Sequence, residues 1–178
     1  YVSEITTKDG KTLKEYDNGP NSGWMYTINS VFPDYMEETK PRLLEKDMKL
    51  SLEIHTNSPC YVRMDRLQFG RVVSNLVDNS VKYKRVGLGI LKIIIQEERE
   101  TVQIIVKDNG IGVSPNECEK LFDSFYRTDP ARTNAAKGSG LGLSITKQIV
   151  ENMNGSIWAK SAINEGMQMH LEFQKAHK

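Results

Sequence analysis

Residues 90–96 (Ile-Leu-Lys-Ile-Ile-Ile-Gln) and 102–107 (Val-Gln-Ile-Ile-Val-Lys) stand on either side of Glu97-Glu98-Arg99-Glu100, and no other feature restricts the fold as much. β-Branched residues fit a pleated backbone, and a short charged segment between two such runs reads as a turn. The two runs therefore predict antiparallel neighbours in a sheet. Leu50, Leu52 and Ile54 alternate with Ser51 and Glu53, and Met167, Met169, Leu171 and Phe173 share one face of a later run. Both have the period of a half-buried strand. Residues 24–28 and 157–160 read as two more short strands.

Helical spacing occupies the intervals. Residues 31–46 carry Phe32, Tyr35, Met36, Leu43 and Leu44, with Pro41 expected to kink the helix or open its second half. Residues 65–83 read as a second helix. Residues 141–154 form a third, with Ile145 and Ile149 inward and Asn154-Gly155 as its C-cap. Residues 118–126 have short helical character, and 84–89 and 127–137 read as loops. The fold class is α/β: a two-layer sandwich whose mixed, mostly antiparallel sheet is covered on one face by about three helices. Residues 1–23 are polar and rich in Lys, Gly, Asn and Asp, and are expected to be an arm or linker with a short hairpin around Asp9-Gly10. Residues 24–178 are then the domain proper.

Composition narrows the function. With 24 Lys and Arg against 23 Asp and Glu, the 178-residue chain has a formal charge of +1, so no global field draws it to nucleic acid or anionic lipid. Any anion site must be local. The two cysteines, Cys60 and Cys118, lack CxxC or His-Cys spacing, which argues against a disulfide framework or a zinc site and fits a reducing cytosol. No run approaches the roughly 18 apolar residues of a spanning helix. A cytoplasmic fragment is expected, and an anchor elsewhere in a longer parent protein is compatible with it.

Three segments then carry chemistry. On the helix from Asp65, at about 100° per residue, Asn75, Asn79 and Lys82 fall within about 40° of one direction, opposite Phe69, Val73, Leu76 and Val77. An Asn carboxamide oxygen can ligate Mg²⁺ without adding charge, and Lys82 can act as a point charge on a phosphate. A solvated helix face would show the same stripe. Asp108-Asn-Gly110-Ile111-Gly112 follows a strand, so a carboxylate stands beside a backbone stripped of Cβ atoms, where a planar base can enter and donate an amine hydrogen bond. A plain β-turn has the same composition. Gly138-Ser139-Gly140-Leu141-Gly142-Leu143 precedes a helix, offering backbone N–H groups and a helix dipole to anionic oxygens. It lacks both the Rossmann GxGxxG spacing and the P-loop ending. Between these segments lie Phe122, Phe125 and Tyr126, read as core anchors rather than base stackers, followed by a polar loop with Arg127 and Arg132.

In this order, the motifs resemble the catalytic and ATP-binding domain of two-component sensor histidine kinases, within the wider group of gyrase, chaperone and mismatch-repair ATPases. Residues 75–83 look like the N box, 108–112 the G1 box, 121–127 the F box and 138–143 the G2 box, and the resemblance covers about residues 31–173. It implies a Bergerat-type sandwich that binds ATP and Mg²⁺. Asn75 would ligate the metal, and Asn79 and Lys82 would contact phosphates. Tyr83 would lie against the sugar or base, Asp108 with Gly110, Ile111 and Gly112 would hold adenine, and a lid over residues 127–140 would bring Arg127, Arg132, Lys137, Gly138, Ser139 and Gly140 to the nucleotide, with Leu141, Gly142 and Leu143 beyond it. The implied partners are ATP and ADP, a dimerisation and histidine-phosphotransfer domain of the same protein, and a response-regulator receiver domain; nucleic acid is not among them. The fragment would be monomeric and its parent a homodimer.

Two departures qualify the resemblance. None of His55, His170 and His177 sits in a phosphoacceptor helix; all three read as surface histidines, so the acceptor must lie on another domain or chain. Gyrase-like relatives place a glutamate one turn before the metal Asn, and here that position is Arg71, which cannot serve as a general base. Slow hydrolysis is the expected consequence. A nucleotide-responsive binding module, similar to anti-sigma serine kinases, is the alternative class.

Overall fold

The computed structural model describes residues 2–6, 12–16, 24–56, 59–126 and 142–176, with side chains described from residue 31 onward. In chain order the strands are β1 (Val2–Thr6), β2 (Thr12–Tyr16), β3 (Trp24–Thr27), β4 (Met48–His55), β5 (Tyr61–Met64), β6 (Gly89–Glu97), β7 (Thr101–Asp108), β8 (Ser156–Ala162) and β9 (Gly166–Gln174). The helices are α1 (Ile28–Glu45), α2 (Arg66–Lys82) and α3 (Gly142–Asn152).

The expected hairpin is at the centre: β6 and β7 pair antiparallel from Leu91↔Asp108 to Glu97↔Val102. Around it the main sheet has five strands in the order β4-β6-β7-β9-β8. β4 runs parallel to β6, because the chain crosses over through α2 between them, and every other pairing is antiparallel. Strict alternation sends Leu91, Ile93 and Ile95, then Val102, Ile104 and Val106, then Met169, Leu171 and Phe173 into the buried layer. α2 meets them with Phe69, Val72, Val73, Leu76 and Val77. Phe69 stands edge-on between Phe32 of α1 and Phe173 of β9, 5.7 Å from each ring centre. Such pairs contribute roughly 0.5–1.5 kcal/mol beyond their area, so this ring ties both helices to the sheet.

Several local expectations are met. β1 and β2 form the hairpin in register Val2↔Tyr16 to Thr6↔Thr12. Past the end of α3, Asn154 takes a left-handed φ of 57° and the Gly155 N–H bonds Val150 O at 3.0 Å. α1 starts earlier than the pattern implied and continues through Pro41 as one helix. The helical character near residue 118 resolves into two 3-10 turns, Pro115–Glu117 and Lys120–Phe122. One strand had no sequence counterpart: β5 pairs antiparallel with β3 in a separate two-stranded sheet.

His170 corrects the expectation of a surface residue. It does lie on the outer side of β9, yet only 7% of it is exposed. Trp158 of β8 stacks on its ring at 5.4 Å with an interplanar angle of 11°, and this contact buries it. Burial lowers the imidazole pKa, and the charge of Lys160 lowers it further. His55 ends β4 exposed, 3.1 Å from Glu53, and His177 lies outside the described residues.

Candidate functional site

α2 begins cleanly because the Asp65 carboxylate caps it, accepting from Leu67 N at 3.0 Å and Gln68 N at 3.2 Å. That start sets the rotation of the helix, which buries the apolar stripe and leaves Asn75 and Asn79 half-buried and Lys82 exposed on the other side. Asn75 is held from α3. Its Nδ2 donates to Thr146 Oγ1 at 3.2 Å and, at the limit of a hydrogen bond, to Gly142 O at 3.5 Å. Thr146 is fully buried and its hydroxyl donates to Gly142 O at 2.8 Å, so its oxygen is fixed as the acceptor for the amide. With Nδ2 engaged, Oδ1 is left to coordinate.

At the end of β7, Asp108 is held by three donors. Oδ1 accepts from Gly110 N at 2.8 Å and Met167 N at 3.2 Å, and Oδ2 accepts from Ser80 Oγ at 2.8 Å. Burial pushes the carboxyl above the usual Asp range, while the Gly110 N–H, the Ser80 hydroxyl and the Met167 N–H pull it back down. A half-buried carboxylate with lone pairs left over is an acceptor waiting for a donor such as an exocyclic amine.

Backbone contacts explain the glycines. A Cβ on Gly110 would lie 2.6 Å from Tyr83 O, the carbonyl that accepts the Ile111 N–H at 2.9 Å. Gly166 has φ +85°, and a Cβ there would overlap the Asp108 carbonyl. Gly112, at φ +64°, lies close against the same β8–β9 turn, where Asn164 N donates to Ile111 O at 2.7 Å and Val113 N to Ser161 Oγ at 2.9 Å. Asn109 faces the other way, bonding Ile90 N at 2.7 Å and Leu88 O at 3.2 Å, which pins the loop after α2 to the start of β6.

The fold thus gathers three motifs. Asn75, Asn79, Lys82 and Tyr83 lie along α2 and its cap; Asp108, Gly110, Ile111 and Gly112 follow β7; and Gly142 and Leu143 open α3. Hydrogen bonds join α2 to α3 through Asn75 and α2 to β7 through Ser80 and Tyr83. Leu143 is half-buried and packs on the core. Arg127, Arg132, Lys137, Gly138, Ser139, Gly140 and Leu141 lie outside the described residues. Of the aromatic anchors, Phe122 is buried and the Tyr126 hydroxyl donates to Glu117 Oε1 at 2.8 Å, but Phe125 is 70% exposed. Its left-handed φ of 65° turns it out of the core, a correction to the sequence reading.

Arg71 is exposed, bonded to Gln68 Oε1 at 3.2 Å, and lines a groove of about 730 Å³ between α1 and α2 with Tyr35, Arg42 and Leu67. None of the motif residues lines that groove. Sequence reasoning missed Ser80, Thr146, Gly166 and the Met167 N–H. For Ser80 a signal existed, a hydroxyl one turn after Leu76 on the apolar side of α2.

Among the described residues no group of His, Cys, Asp or Glu could hold a metal by itself. Nor is any described helix long and apolar enough to cross a membrane. A hard cation here would rest on the Asn75 carboxamide, with anionic oxygens from a ligand completing its shell, as such ions accept. The residues fit that arrangement because Thr146 orients the amide.

Comparison with known proteins agrees with this geometry. Residues 64–177 match the family described as Histidine kinase-, DNA gyrase B-, and HSP90-like ATPase. The chain is 36% identical over 149 residues to the sensor histidine kinase WalK of Bacillus subtilis strain 168, a match covering 82% of this chain and 24% of WalK. It therefore spans about a quarter of the length of that curated relative. The nucleotide-free catalytic domain of the histidine kinase ThkA superposes with a TM-score of 0.71 at 25% identity, covering 85% of this chain and 96% of that one. Full-length ShkA in complex with AMPPNP is alike in fold, with a TM-score of 0.71 at 22% identity over 93% of this chain and 32% of ShkA. The motifs, the sandwich and the relatives agree: the chain belongs to the histidine kinase-, DNA gyrase B- and HSP90-like ATPase family, as an ATP-binding catalytic domain of the sensor histidine kinase type.

Proposed function

We propose that this chain binds ATP with Mg²⁺ and presents the γ-phosphoryl group to a histidine on a separate acceptor domain. The observation that carries the reading is the pair of oriented acceptors on and beside α2, Asn75 Oδ1 fixed through Thr146 and Asp108 fixed through Ser80. Asn75 and Ser80 are five residues apart on the helix, about 7.5 Å along its axis, which suits a base at one end and phosphates at the other. Asp108 accepts the adenine amine hydrogen, with Gly110, Ile111 and Gly112 giving the ring room and Tyr83 beside the sugar or base. Asn79 and Lys82 lie against phosphate oxygens, and Asn75 offers Oδ1 to the cation. The bound cation would offset charge on the phosphates.

The segment from Arg127 to Gly140 is the lid in this reading. Arg127, Arg132 and Lys137 would supply cations to the phosphates, and Gly138, Ser139 and Gly140, with Leu141, Gly142 and Leu143 beyond, would complete the nucleotide contacts. Phosphoryl transfer relies mostly on positioning and charge stabilisation, which is what these residues provide. A ring nitrogen of the acceptor histidine bonds to the γ-phosphorus as the β–γ bridging bond breaks, and ADP leaves. The acceptor histidine would belong to a dimerisation domain of a homodimeric parent. The phosphoryl group passes on to a response-regulator receiver.

Arg71 stands where a water-activating carboxylate would be needed, so ATP hydrolysis by the isolated chain should fall below the roughly 1 s⁻¹ at the low end of ordinary enzyme rates. Mixing the chain with its acceptor domain and γ-labelled ATP should yield acid-labile, base-stable phosphate on that domain. Rapid hydrolysis by the chain alone, with no label on the acceptor, would overturn the proposal.

A further inference from the structure

The main sheet turns Leu91, Ile93, Ile104 and Leu171 into the core it shares with the helices, and on its other face the residues are half-buried or exposed, apart from His170 under Trp158. Strand register arranges that open face into rows running across the strands. One row is Glu53, Ile94, Ile105, His170 and Trp158, and the row beside it is Ser51, Lys92, Lys107, Gln168 and Lys160. An apolar and aromatic band therefore lies against a basic band. Ile90, 45% exposed, continues the apolar surface on the far side of the lysines.

Such a pattern is unfavourable for an isolated sheet. Lys92 and Lys107 are directly opposed across the β6–β7 ladder, an arrangement in which like charges repel. Lys92 is relieved by Glu53 Oε1 at 2.8 Å. Lys107 and Lys160 are exposed and have no carboxylate partner among the described residues. The whole chain carries only +1, so this positive band is local segregation of charge and not a general excess.

We propose that the open face of the sheet is the docking surface for an acidic amphipathic helix of a protein partner, lying across the strands. Its apolar side covers Ile94, Ile105 and Trp158, and its acidic flank meets Lys92, Lys107 and Lys160. Five strands span four gaps of about 4.8 Å, or roughly 19 Å, and a helix rising about 1.5 Å per residue covers that width in about 13 residues. Trp is enriched at the centres of protein interfaces, and here its ring is already held flat against His170. An oligonucleotide would satisfy the lysines and leave the isoleucines uncovered. A bilayer needs projecting apolar side chains, and Ile94 and Ile105 are half-buried.

The test is an amide-resolved NMR titration of the ¹⁵N-labelled chain with a capped 14-residue helical peptide bearing Leu at i, i+3, i+4 and i+7 and Glu along its flanks. A control peptide carries Lys in place of Glu. Shifts are expected at residues 92–94, 105–107, 158–160 and 168–170, with and without an ATP analogue, so the outcome does not depend on the nucleotide reading. The double variant K107E/K160E should weaken binding about tenfold, near threefold for each reversed surface charge, while its melting temperature and nucleotide binding show that it is folded. The proposal is overturned by an absence of shifts at millimolar peptide, by shifts confined to the α1–α2 groove, or by equal binding of the Lys peptide. It is also overturned if anionic phosphatidylglycerol vesicles or a single-stranded 13-mer DNA perturb these residues and the peptide does not.

Discussion

Replacing Asp108 by Asn separates the proposed base-binding role of this carboxylate from its structural one. The Asn Oδ1 can keep the bonds from Gly110 N and Met167 N, and its Nδ2 can donate to the Ser80 oxygen, which remains able to donate to Leu76 O. The local scaffold therefore survives. What changes is the edge facing the ligand, where an acceptor becomes a donor pointed at an amine. Losing a charged hydrogen bond costs about 1.5–3 kcal/mol, or roughly 10- to 150-fold in Kd at about 1.4 kcal/mol per decade. Stability should move the other way. Because burial raises the Asp108 pKa in the fold, its charged form costs stability at neutral pH, a cost that disappears as the pH falls through the window between the unfolded and the raised folded value. Asp108→Asn removes that cost, so its Tm at pH 7 should equal or exceed wild type. Isothermal titration with an ATP analogue, paired with calorimetric melting, reads both quantities. Unchanged affinity, above all with a lowered Tm, would show that Asp108 serves the fold and not the base.

Thr146→Val keeps the buried shape and removes the acceptor for Asn75 Nδ2, so magnesium-dependent nucleotide binding should weaken about fivefold, near 1 kcal/mol; an identical metal dependence would sink the coordination role. Ser80→Ala deprives Asp108 Oδ2 of its donor, which raises the Asp108 pKa further. The acidic limb of a nucleotide-affinity profile should then shift to higher pH than in wild type, and coincident profiles would contradict this. Gly166→Ala forces a side chain into a left-handed φ and onto the Asp108 carbonyl, and should cost more than about 2 kcal/mol. At roughly 2–4 °C per kcal/mol for a chain of this size, the melt would fall by at least 4 °C, and an unaltered melt would refute the account.

Much of this architecture could be read from alternation. The runs that became β4, β6, β7 and β9 each repeat apolar residues at every second position, and a one-sided sheet needs little else to declare itself. α2 announced both its rotation and its polar edge, because Asn75, Asn79 and Lys82 oppose a continuous apolar stripe. β5 was illegible because Tyr61–Met64 is only four residues long, carries a charge at Arg63, and owes its conformation to β3, more than thirty residues earlier. Burial of His170 was hidden for a similar reason, since only the β8–β9 register reveals that Trp158 lies opposite it. At the site, the legible residues are those whose type suggests ligand chemistry. Those that aim them, Ser80, Thr146 and the Met167 N–H, act through contacts 28 to 71 residues distant, for which no local pattern exists.

The acceptor at the end of β7 is assembled from α2, β7 and the first residues of β9, elements that also form the middle of the molecule. Under the proposed function an incoming base would meet a preorganised seat, and almost none of its interaction energy would be diverted into arranging the protein around it. On that proposal adenine would be chosen over guanine, since a carboxylate locked in place cannot swing aside to accommodate a carbonyl where it requires an amine.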